Sequence, residues 1–236
     1  MPEKSEKPNI NELIINFIQK NRKALLFTLG SIIVIIIGFI IFFSIQERLV
    51  LQAFIRIDEL NTRYEDLVSS VGFDEEHEQL VISNELRNSM HILLDDLAGF
   101  TGSNKGFSAA RAFALSANLH EIMSNWQEAE IAWTEAARAA PRTYFAPIAY
   151  FNAAVAAEEQ GNNSRAIELF NMAVDYGSDF PAAPRAQFSI GRILESQGDR
   201  LAAIAAYQSL VNNWPEDQIW ANLAQSRILA LSMGLF

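Results

Sequence analysis

The sequence predicts an all-α protein: a single N-terminal transmembrane helix, a helical stalk, and an α-solenoid of about three helix pairs with a capping helix. Three observations support this fold class. An uncharged apolar run extends from Ala24 to Ile45. Apolar side chains then recur at the 3- and 4-residue spacing that is typical of amphipathic helices. In the second half of the chain, small and aromatic residues recur every 37 positions, which indicates a repeat architecture.

The run from Ala24 to Ile45 predicts a membrane anchor. Its 22 residues would span about 33 Å as a helix, which matches a hydrocarbon core of about 30 Å. A strand would leave its backbone unpaired in lipid, and a cleaved signal peptide would have a shorter apolar stretch followed by small residues. Lys20, Arg22 and Lys23 border the N-terminal side, so the positive-inside rule predicts a cytoplasmic N-terminus.

The formal net charge of −10 is unevenly distributed. Residues 1–23 carry five basic and three acidic side chains (+2), which leaves 13 basic and 25 acidic side chains (−12) for the remainder. Nucleic-acid binding needs clustered cations at phosphates, so we expect no DNA or RNA partner. The chain has no cysteine, which excludes disulfides, cysteine-ligated zinc and thiol nucleophiles.

Two amphipathic helices are predicted between the anchor and the repeats. The first has a heptad-like stripe: Ala53, Ile57, Leu60, Tyr64, Leu67 and Val71. The second extends roughly from Glu78 to Ala98, with Leu86, Met90, Leu93 and Leu97 on one face. The alternatives are a hairpin packed on itself or on the repeats, and a coiled coil that forms a dimer. We prefer the hairpin, because a stripe of fewer than four heptads is weak evidence for a coiled coil. Residues 99–106 (GFTGSNKG) predict a flexible turn and the best internal boundary.

The predicted organisation therefore has four segments. They are a cytoplasmic tail over 1–23, a transmembrane helix over 24–45, a helical stalk or hairpin over 46–100, and a repeat domain with its C-terminal capping helix over 108–236. We expect the capping helix to extend from Asp217 to Met233, with Ile219, Leu223, Ile228 and Leu231 apolar. A repeat array needs such a cap to hide its last interface.

Each 37-residue unit predicts a helix, a turn, a second helix and an exit marked by proline. The recurring positions are Ala117, Ala154 and Gly191 in the first helix, Ser124, Gly161 and Gly198 in the turn, Ala129, Ala166 and Ala203 in the second helix, Trp133, Phe170 and Tyr207 one turn later, and Pro141, Ser178 and Pro215 at the exit. Glycine ends the first helix in the left-handed conformation, and the following Asn or Asp caps the second. We expect the aromatic side chains to fill the gap between neighbouring units.

These positions resemble the tetratricopeptide repeat family over Ser108–Pro215, although the period of 37 exceeds the usual 34 of that family. The resemblance implies that the first helix of each pair lines a concave groove. Seven groove residues follow from it: Arg111, Asn118, Phe151, Val155, Arg185, Phe188 and Arg192. Each unit also places a glutamate at the end of this row: Glu121, Glu158 and Glu195. The groove would suit an extended peptide or a partner helix, unless the stalk helices fill it, in which case these residues are core.

The layout as a whole resembles the YfgM-type family, in segments such as NRKALLFTLGSIIVIIIGF. That resemblance implies an ancillary, chaperone-like role near the Sec translocon, at the inner membrane, with the repeats in the periplasm. The implied partners are Sec translocon subunits, a periplasmic chaperone or nascent chains. The alternative is a structural scaffold that docks one fixed partner in envelope assembly or division.

The sequence predicts no catalysis and no cofactor. His77, His91 and His120 are separated from one another and lack metal-ligand spacing, and GFTGSNKG lacks the spacing of a phosphate-binding loop. The acidic runs are typical of solvated faces. We therefore expect a binding protein rather than an enzyme, with no metal site.

Overall fold

The structure is a computed structural model that describes residues 9–74, 79–177 and 180–234. The chain divides into two compact units between Gln52 and Ala53. The helices in the described ranges are α1 (Ile10–Ser69), α2 (Asn84–Ser103), α3 (Gly106–Ile122), α4 (Trp126–Ala139), α5 (Phe145–Glu159), α6 (Asn163–Val174), α7 (Ala183–Ser196), α8 (Arg200–Asn213) and α9 (Gln218–Met233). A two-stranded antiparallel hairpin joins α1 to α2, with β1 at Gly72–Asp74 and β2 at Gln79–Val81.

The first compact unit contains the N-terminal part of α1, including the predicted anchor. By length and composition, the portion of α1 that begins at Leu13 could cross a membrane. The large apolar side chains between Ala24 and Ile45 are exposed, and Phe39 stacks on Phe43 with ring centroids 6.1 Å apart. The helical conformation is confirmed, and the membrane crossing itself stays a prediction.

The second compact unit begins with the C-terminal part of α1, which packs against α2. Ala53, Ile57 and Leu60 of α1 share one apolar cluster with Met90, Leu93 and Leu97 of α2. An ion pair between Arg63 and Asp96, at 2.5 Å, also joins the two helices. The same cluster includes Ala112, Leu115 and Leu119 of α3. The predicted stripes are thus confirmed, and through them the two stalk helices pack against each other and against α3 of the first repeat unit.

Two boundaries differ from the sequence prediction. Helix α2 begins at Asn84 because Ser83 caps it by accepting a hydrogen bond from the Leu86 amide; the predicted start at Glu78 lies outside the described residues. The predicted turn over 99–106 is wrong in its first half, since α2 continues through Ser103 and buries Phe100 in the stalk cluster. The turn-forming residues Gly99 and Gly102 are tolerated because this packing stabilises the last turns of the helix.

The repeat units are the helix pairs α3/α4, α5/α6 and α7/α8, and each helix packs against the next one in the chain. The largest apolar cluster extends from α3 to α8 and is rich in alanine, with Trp133, Phe151, Phe170 and Phe180 as its buried aromatic side chains. A second cluster joins α8 to α9 through Ala203, Tyr207 and Leu210. The solenoid therefore has a continuous core built from nearest-neighbour contacts.

The recurring aromatic side chains occupy equivalent positions. Trp133, Phe170 and Tyr207 are 5%, 1% and 0% exposed. Trp133 donates to Glu121, Phe170 makes an edge contact with Phe151, and the Tyr207 ring lies over Gly191. These contacts are with the first helix of the same unit. Phe170 also shares an apolar cluster with residues of α7, and Tyr207 shares one with residues of α9. The expectation that the rings fill a gap between units stays a prediction. In the third unit, the ring acts as a wedge inside the pair, because the first helix has a glycine where Tyr207 packs.

The turns between paired helices share one backbone geometry. Ser124, Gly161 and Gly198 have φ values of 59°, 74° and 79°. Serine therefore adopts the left-handed conformation that normally favours glycine. Asn162 and Asp199 cap the second helix through their side chains, as predicted, whereas Asn125 makes no such bond. The predicted exit residue Ser178 lies outside the described residues.

Helix α9 confirms the predicted terminal helix but presents a different face to the core. Asp217 caps its N-terminus by accepting from the Trp220 amide, and Gly234 ends it at φ 66°. The buried residues are Ala221, Ala224 and Leu231, whereas Ile219 and Leu223 are 72% and 45% exposed. The expected apolar face was wrong at these two positions because small alanines allow α9 to approach α8 closely.

We expect Gly191→Ala to destabilise the repeat domain. A Cβ at this position would lie 2.5 Å from the Tyr207 ring, and overpacking of this kind costs about 1–3 kcal/mol. Gly99→Ala is the matched control, because a Cβ there meets nothing within 4 Å and alanine stabilises a helix by ~1 kcal/mol relative to glycine. Urea unfolding of the full chain in detergent, followed by circular dichroism, measures both effects. Equal stability of the two variants would contradict the wedge.

Candidate protein-binding groove

The seven predicted groove residues lie on the first helices of the three repeat units. Arg111 and Asn118 are on α3, Phe151 and Val155 are on α5, and Arg185, Phe188 and Arg192 are on α7. Their surroundings differ from unit to unit. We therefore describe each unit in turn.

In the first unit, the stalk engages the predicted groove cation. Nη1 of Arg111 lies 2.7 Å from a carboxylate oxygen of Asp58 in α1. Asn118 is half-buried. Met123 and Leu119 belong to the stalk cluster. The sequence left open whether the groove is free or filled by the stalk helices. At Arg111, the stalk contacts α3.

In the second unit, Phe151 belongs to the core rather than to an open surface. It is 9% exposed, with its ring centroid 5.3 Å from that of Phe170 and 6.2 Å from that of Phe180. Cζ of Arg185 lies 5.0 Å from the centroid of Phe151, a distance at which a cation interacts favourably with an aromatic face. Val155 is half-buried. The Phe151 ring thus packs against the guanidinium group of Arg185 and helps to position it.

In the third unit, aromatic side chains and an arginine lie side by side. The half-buried Phe188 has its ring centroid 5.2 Å from that of Tyr207 and 5.3 Å from that of Trp220. Arg192 donates two hydrogen bonds to Glu158 of the preceding unit, at 2.5 and 2.7 Å. Such bidentate pairs hold a guanidinium in a fixed orientation.

The three glutamates at 37-residue spacing have different partners. Glu121 accepts from Trp133 Nε1 at 2.7 Å. Glu158 pairs with Arg192, and Glu195 pairs with Arg227 of α9 while accepting from the Tyr207 hydroxyl at 2.9 Å. The spacing reveals the recurrence, but the partners depend on contacts between helices that sequence reasoning missed.

The pKa values of Glu195 and Glu121 are shifted in opposite directions. Hydrogen bonds from Arg227 hold the pKa of Glu195 below its ordinary value, although burial opposes this. Burial raises the pKa of Glu121, and the hydrogen bond from Trp133 offsets this only in part. Glu158 pairs with Arg192 of the following unit. The residue equivalent to Arg192 in the second unit is Val155, so in the described part of the chain Glu121 has no such arginine partner.

A cavity of about 690 Å³ lies where the third unit meets α9. Its lining combines apolar side chains with three arginines and one glutamate. The lining residues are Phe188, Arg192, Glu195, Ser196, Gly198, Arg200, Tyr207, Arg227 and Leu231. Arg200 is exposed at the first position of α8 and donates to the Ser232 carbonyl at 2.9 Å. Basic side chains are therefore concentrated here, in a segment of the chain whose net charge is strongly negative.

Comparisons with known proteins agree with this architecture. The model of the family described as "Tetratricopeptide repeat" matches residues 115–179 and 173–218. Residues 115–218 are therefore similar to tetratricopeptide repeats. A curated TPR repeat-containing protein of Treponema pallidum (strain Nichols) is 40% identical over 129 residues, which are 55% of this chain and 53% of the relative. The chain thus spans about half the length of the curated relative that it matches.

A solved structure supports the fold of the tetratricopeptide repeats. It is a crystal structure of a kinesin light chain homologue from Podosopora anserina with nearly identical TPR-like repeats, determined for a single-substitution variant. The TM-score is 0.54 at 13% sequence identity, with 75% of this chain and 86% of that chain covered. At this identity the likeness concerns the fold alone. Tetratricopeptide repeats are scaffolds for protein interactions, so the similarity suggests that this part of the chain is a protein–protein interaction module.

Two of the three histidines, His91 and His120, lie in the described ranges. His91 is exposed, and His120 has a buried Nδ1 without a hydrogen-bond partner among the described residues. Burial, with a smaller effect from His91, lowers the pKa of His120 although Glu128 opposes this. His77 lies outside the described residues. In the ranges that the structure describes, no three acidic or histidine side chains are grouped to hold a metal ion.

We expect Glu121→Gln and Glu195→Gln to change stability with opposite sign. The raised pKa of Glu121 means that ionisation favours the unfolded chain, so the glutamine variant gains stability relative to wild type as the pH rises through 4.5, the ordinary value. The lowered pKa of Glu195 means that ionisation favours the folded chain. Its glutamine variant is therefore less stable near neutral pH, and the difference disappears as the pH falls through the depressed folded value.

Urea unfolding of the full chain in detergent at several pH values measures both variants against wild type. The two glutamates occupy equivalent positions, so each variant is the control for the other. Two curves that shift in the same direction with pH would contradict the assigned partners.

Proposed function

We propose that this protein is a membrane-anchored protein–protein interaction module. The segment Ala24–Ile45 is the anchor, the N-terminus is cytoplasmic, and the tetratricopeptide repeats lie outside the cytoplasm at the inner membrane. The groove residues of the third unit, together with α9, receive a segment of another polypeptide. The observation that carries this proposal is the cavity of about 690 Å³ with an aromatic floor and an arginine rim.

The chemistry of the cavity suits a segment with an apolar side chain next to an acidic one. Phe188 and Leu231 supply apolar surface, and Arg200 supplies an exposed guanidinium group, while Arg192 adds positive charge although Glu158 holds its paired donors. Arg185 lies two turns before Arg192 on α7 and extends the basic row. Arginine recognises carboxylates through paired donors, and apolar contacts beside such a group give affinity in addition to orientation.

The role we propose is an ancillary, chaperone-like one near the Sec translocon, where the module handles proteins that cross the inner membrane. Its partners are translocon subunits, a periplasmic chaperone or nascent chains. The supporting observations are the layout of anchor, stalk and repeats and its resemblance to the YfgM-type family. A scaffold that docks one fixed envelope-assembly or division partner is the second candidate, favoured by the ion pairs that hold Arg192 and Arg227 in place.

Photo-cross-linking distinguishes the two candidates. A benzophenone amino acid at Arg185 or Ile148, both exposed on first helices, probes the groove, and the same amino acid at the exposed Arg138 of α4 is the matched control. A translocon role predicts cross-links from the groove to Sec subunits and nascent chains. A scaffold predicts a single stoichiometric partner. Identical cross-links from Arg138 would contradict a groove function.

A charge-reversal pair tests the basic rim. We expect Arg185→Glu with Arg200→Glu to reduce the amount of co-purified partner at least about tenfold, which corresponds to ~1.4 kcal/mol, because four units of charge change beside the cavity. Purification of the tagged, full-length chain in mild detergent at native expression, with quantification of the partner by mass spectrometry, measures this. We expect at least one integral membrane protein to be recovered with the wild type.

The control makes the same change elsewhere. Arg138→Glu with Arg142→Glu alters two exposed side chains at the end of α4 and just beyond it, and it should leave recovery of the partner unchanged. Recovery of the wild type alone across several detergents would count against both candidate functions. Equal losses in the two double variants would indicate a non-specific effect of net charge.

A further inference from the structure

The first nine residues of α1 carry an apolar stripe that precedes the anchor. Its members recur at intervals of three, one, three and one residues: Ile10, Leu13, Ile14, Phe17 and Ile18. They are 70%, 53%, 52%, 61% and 50% exposed. A helix of a soluble domain buries such a stripe, and a continuous exposed apolar surface marks an interaction site.

Polar side chains occupy the opposite side of this helical segment. At 100° per residue, the five apolar positions fall within an arc of about 140°. Asn16, Gln19 and Lys23 fall on the opposite side, and Lys20 borders the stripe next to Leu13. Ile15, which is 52% exposed, flanks the stripe. The segment therefore combines an apolar face with a polar face whose charges are cationic towards the anchor.

We propose that Ile10–Ile18 binds the surface of the same membrane that the anchor enters. The stripe lies at the boundary between headgroups and acyl chains, and Lys20, Arg22 and Lys23 lie beside the phosphates of anionic lipids. This combination of an apolar face, a polar face and flanking cations is the one that holds helices in the interfacial plane. The inference rests on the membrane anchor in the proposed function.

The positive charges beside the stripe indicate that it binds lipid and not a partner helix. Three cations lie within the four positions Lys20–Lys23, and each cation near an anionic surface adds attraction. A partner helix would need an acidic face of its own opposite this cluster. The anchor also holds the stripe within a few residues of lipid, so the local lipid concentration is high and modest intrinsic affinity is sufficient.

The proposal constrains the direction of the helix. Along the membrane normal, Ile18 would stand about 9 Å and Ile10 about 21 Å from Ala24. The headgroup region on each side is only about 5–8 Å thick, so a perpendicular helix would leave most of the stripe in water. Helix α1 is continuous from Ile10 to Ser69 in the structure, so surface binding requires it to bend between Ile18 and Ala24, which would bring Ile10 and Ile18 to similar depths.

Single-cysteine labelling tests the depth of the stripe, because the natural chain has no cysteine. Ile14→Cys lies on the stripe, Asn16→Cys is its matched control on the opposite face, and Ile35→Cys reports on the anchor. Each full-length variant carries an environment-sensitive NBD label and is reconstituted into vesicles of phosphatidylcholine with or without phosphatidylglycerol. Both leaflets have the same lipids, so the result does not depend on the direction of insertion.

In vesicles with phosphatidylglycerol, we expect nitroxide lipids to quench the label at Ile14 roughly threefold more than the label at Asn16. Lys20→Gln with Lys23→Gln should reduce quenching at Ile14 and leave quenching at Ile35 unchanged. A label at Ile10 should be quenched about as strongly as one at Ile18.

Each other outcome overturns a specific statement. Equal solvent exposure at Ile14 and Asn16, with Ile35 shielded, contradicts the surface binding and leaves the anchor intact. Solvent exposure at Ile35 contradicts the anchor itself. Shielding at Ile14 that is independent of phosphatidylglycerol, together with disulfide formation between two Ile14→Cys chains at high dilution in lipid, assigns the stripe to a second copy and contradicts lipid binding.

Discussion

The wedge of an aromatic ring against a small residue is the contact on which the repeat domain depends. Trp133, Phe170 and Tyr207 are almost completely buried, and each lies against the first helix of its own pair. In the third unit there is no room even for a methyl group, since the Tyr207 ring occupies the space beside Gly191. Large and small side chains that alternate across a helix pair fill the core without voids. A close fit of this kind holds the two helices of the pair at a defined distance.

Recurrence in the sequence predicted those features that have a local chemical requirement. The turns, the second-helix alanines and the terminal helix were found because a left-handed residue, a close approach or a cap demands a particular residue type. Ser124 shows the limit, since its φ of 59° is defined by the fold and not by the residue. The hairpin Gly72–Val81 was not predicted, because strands of three residues are too short to show an alternating pattern.

The candidate site was predicted less completely, because its properties arise between units. Phe151 occupies a groove position, yet Phe180 from the following exit segment covers it together with Phe170. Arg111 was expected in the groove and instead pairs with the stalk. Periodicity specifies which face of a helix a residue occupies, but it does not specify what another segment places over that face. The recurrence of three glutamates likewise contained no information on their different partners.

The pairs Arg192–Glu158 and Arg227–Glu195 have a mechanical consequence. Each joins the first helix of one unit to the helix that follows that unit, α7 or α9. These bonds set the spacing of the array at its C-terminal end, whereas Arg165 of α6 pairs with Glu130 of α4 at 2.8 Å and so joins the second helices of the first two units. The tie between neighbouring units thus changes from second helices to first helices along the array, so one face holds the spacing near the stalk and the other face holds it towards α9.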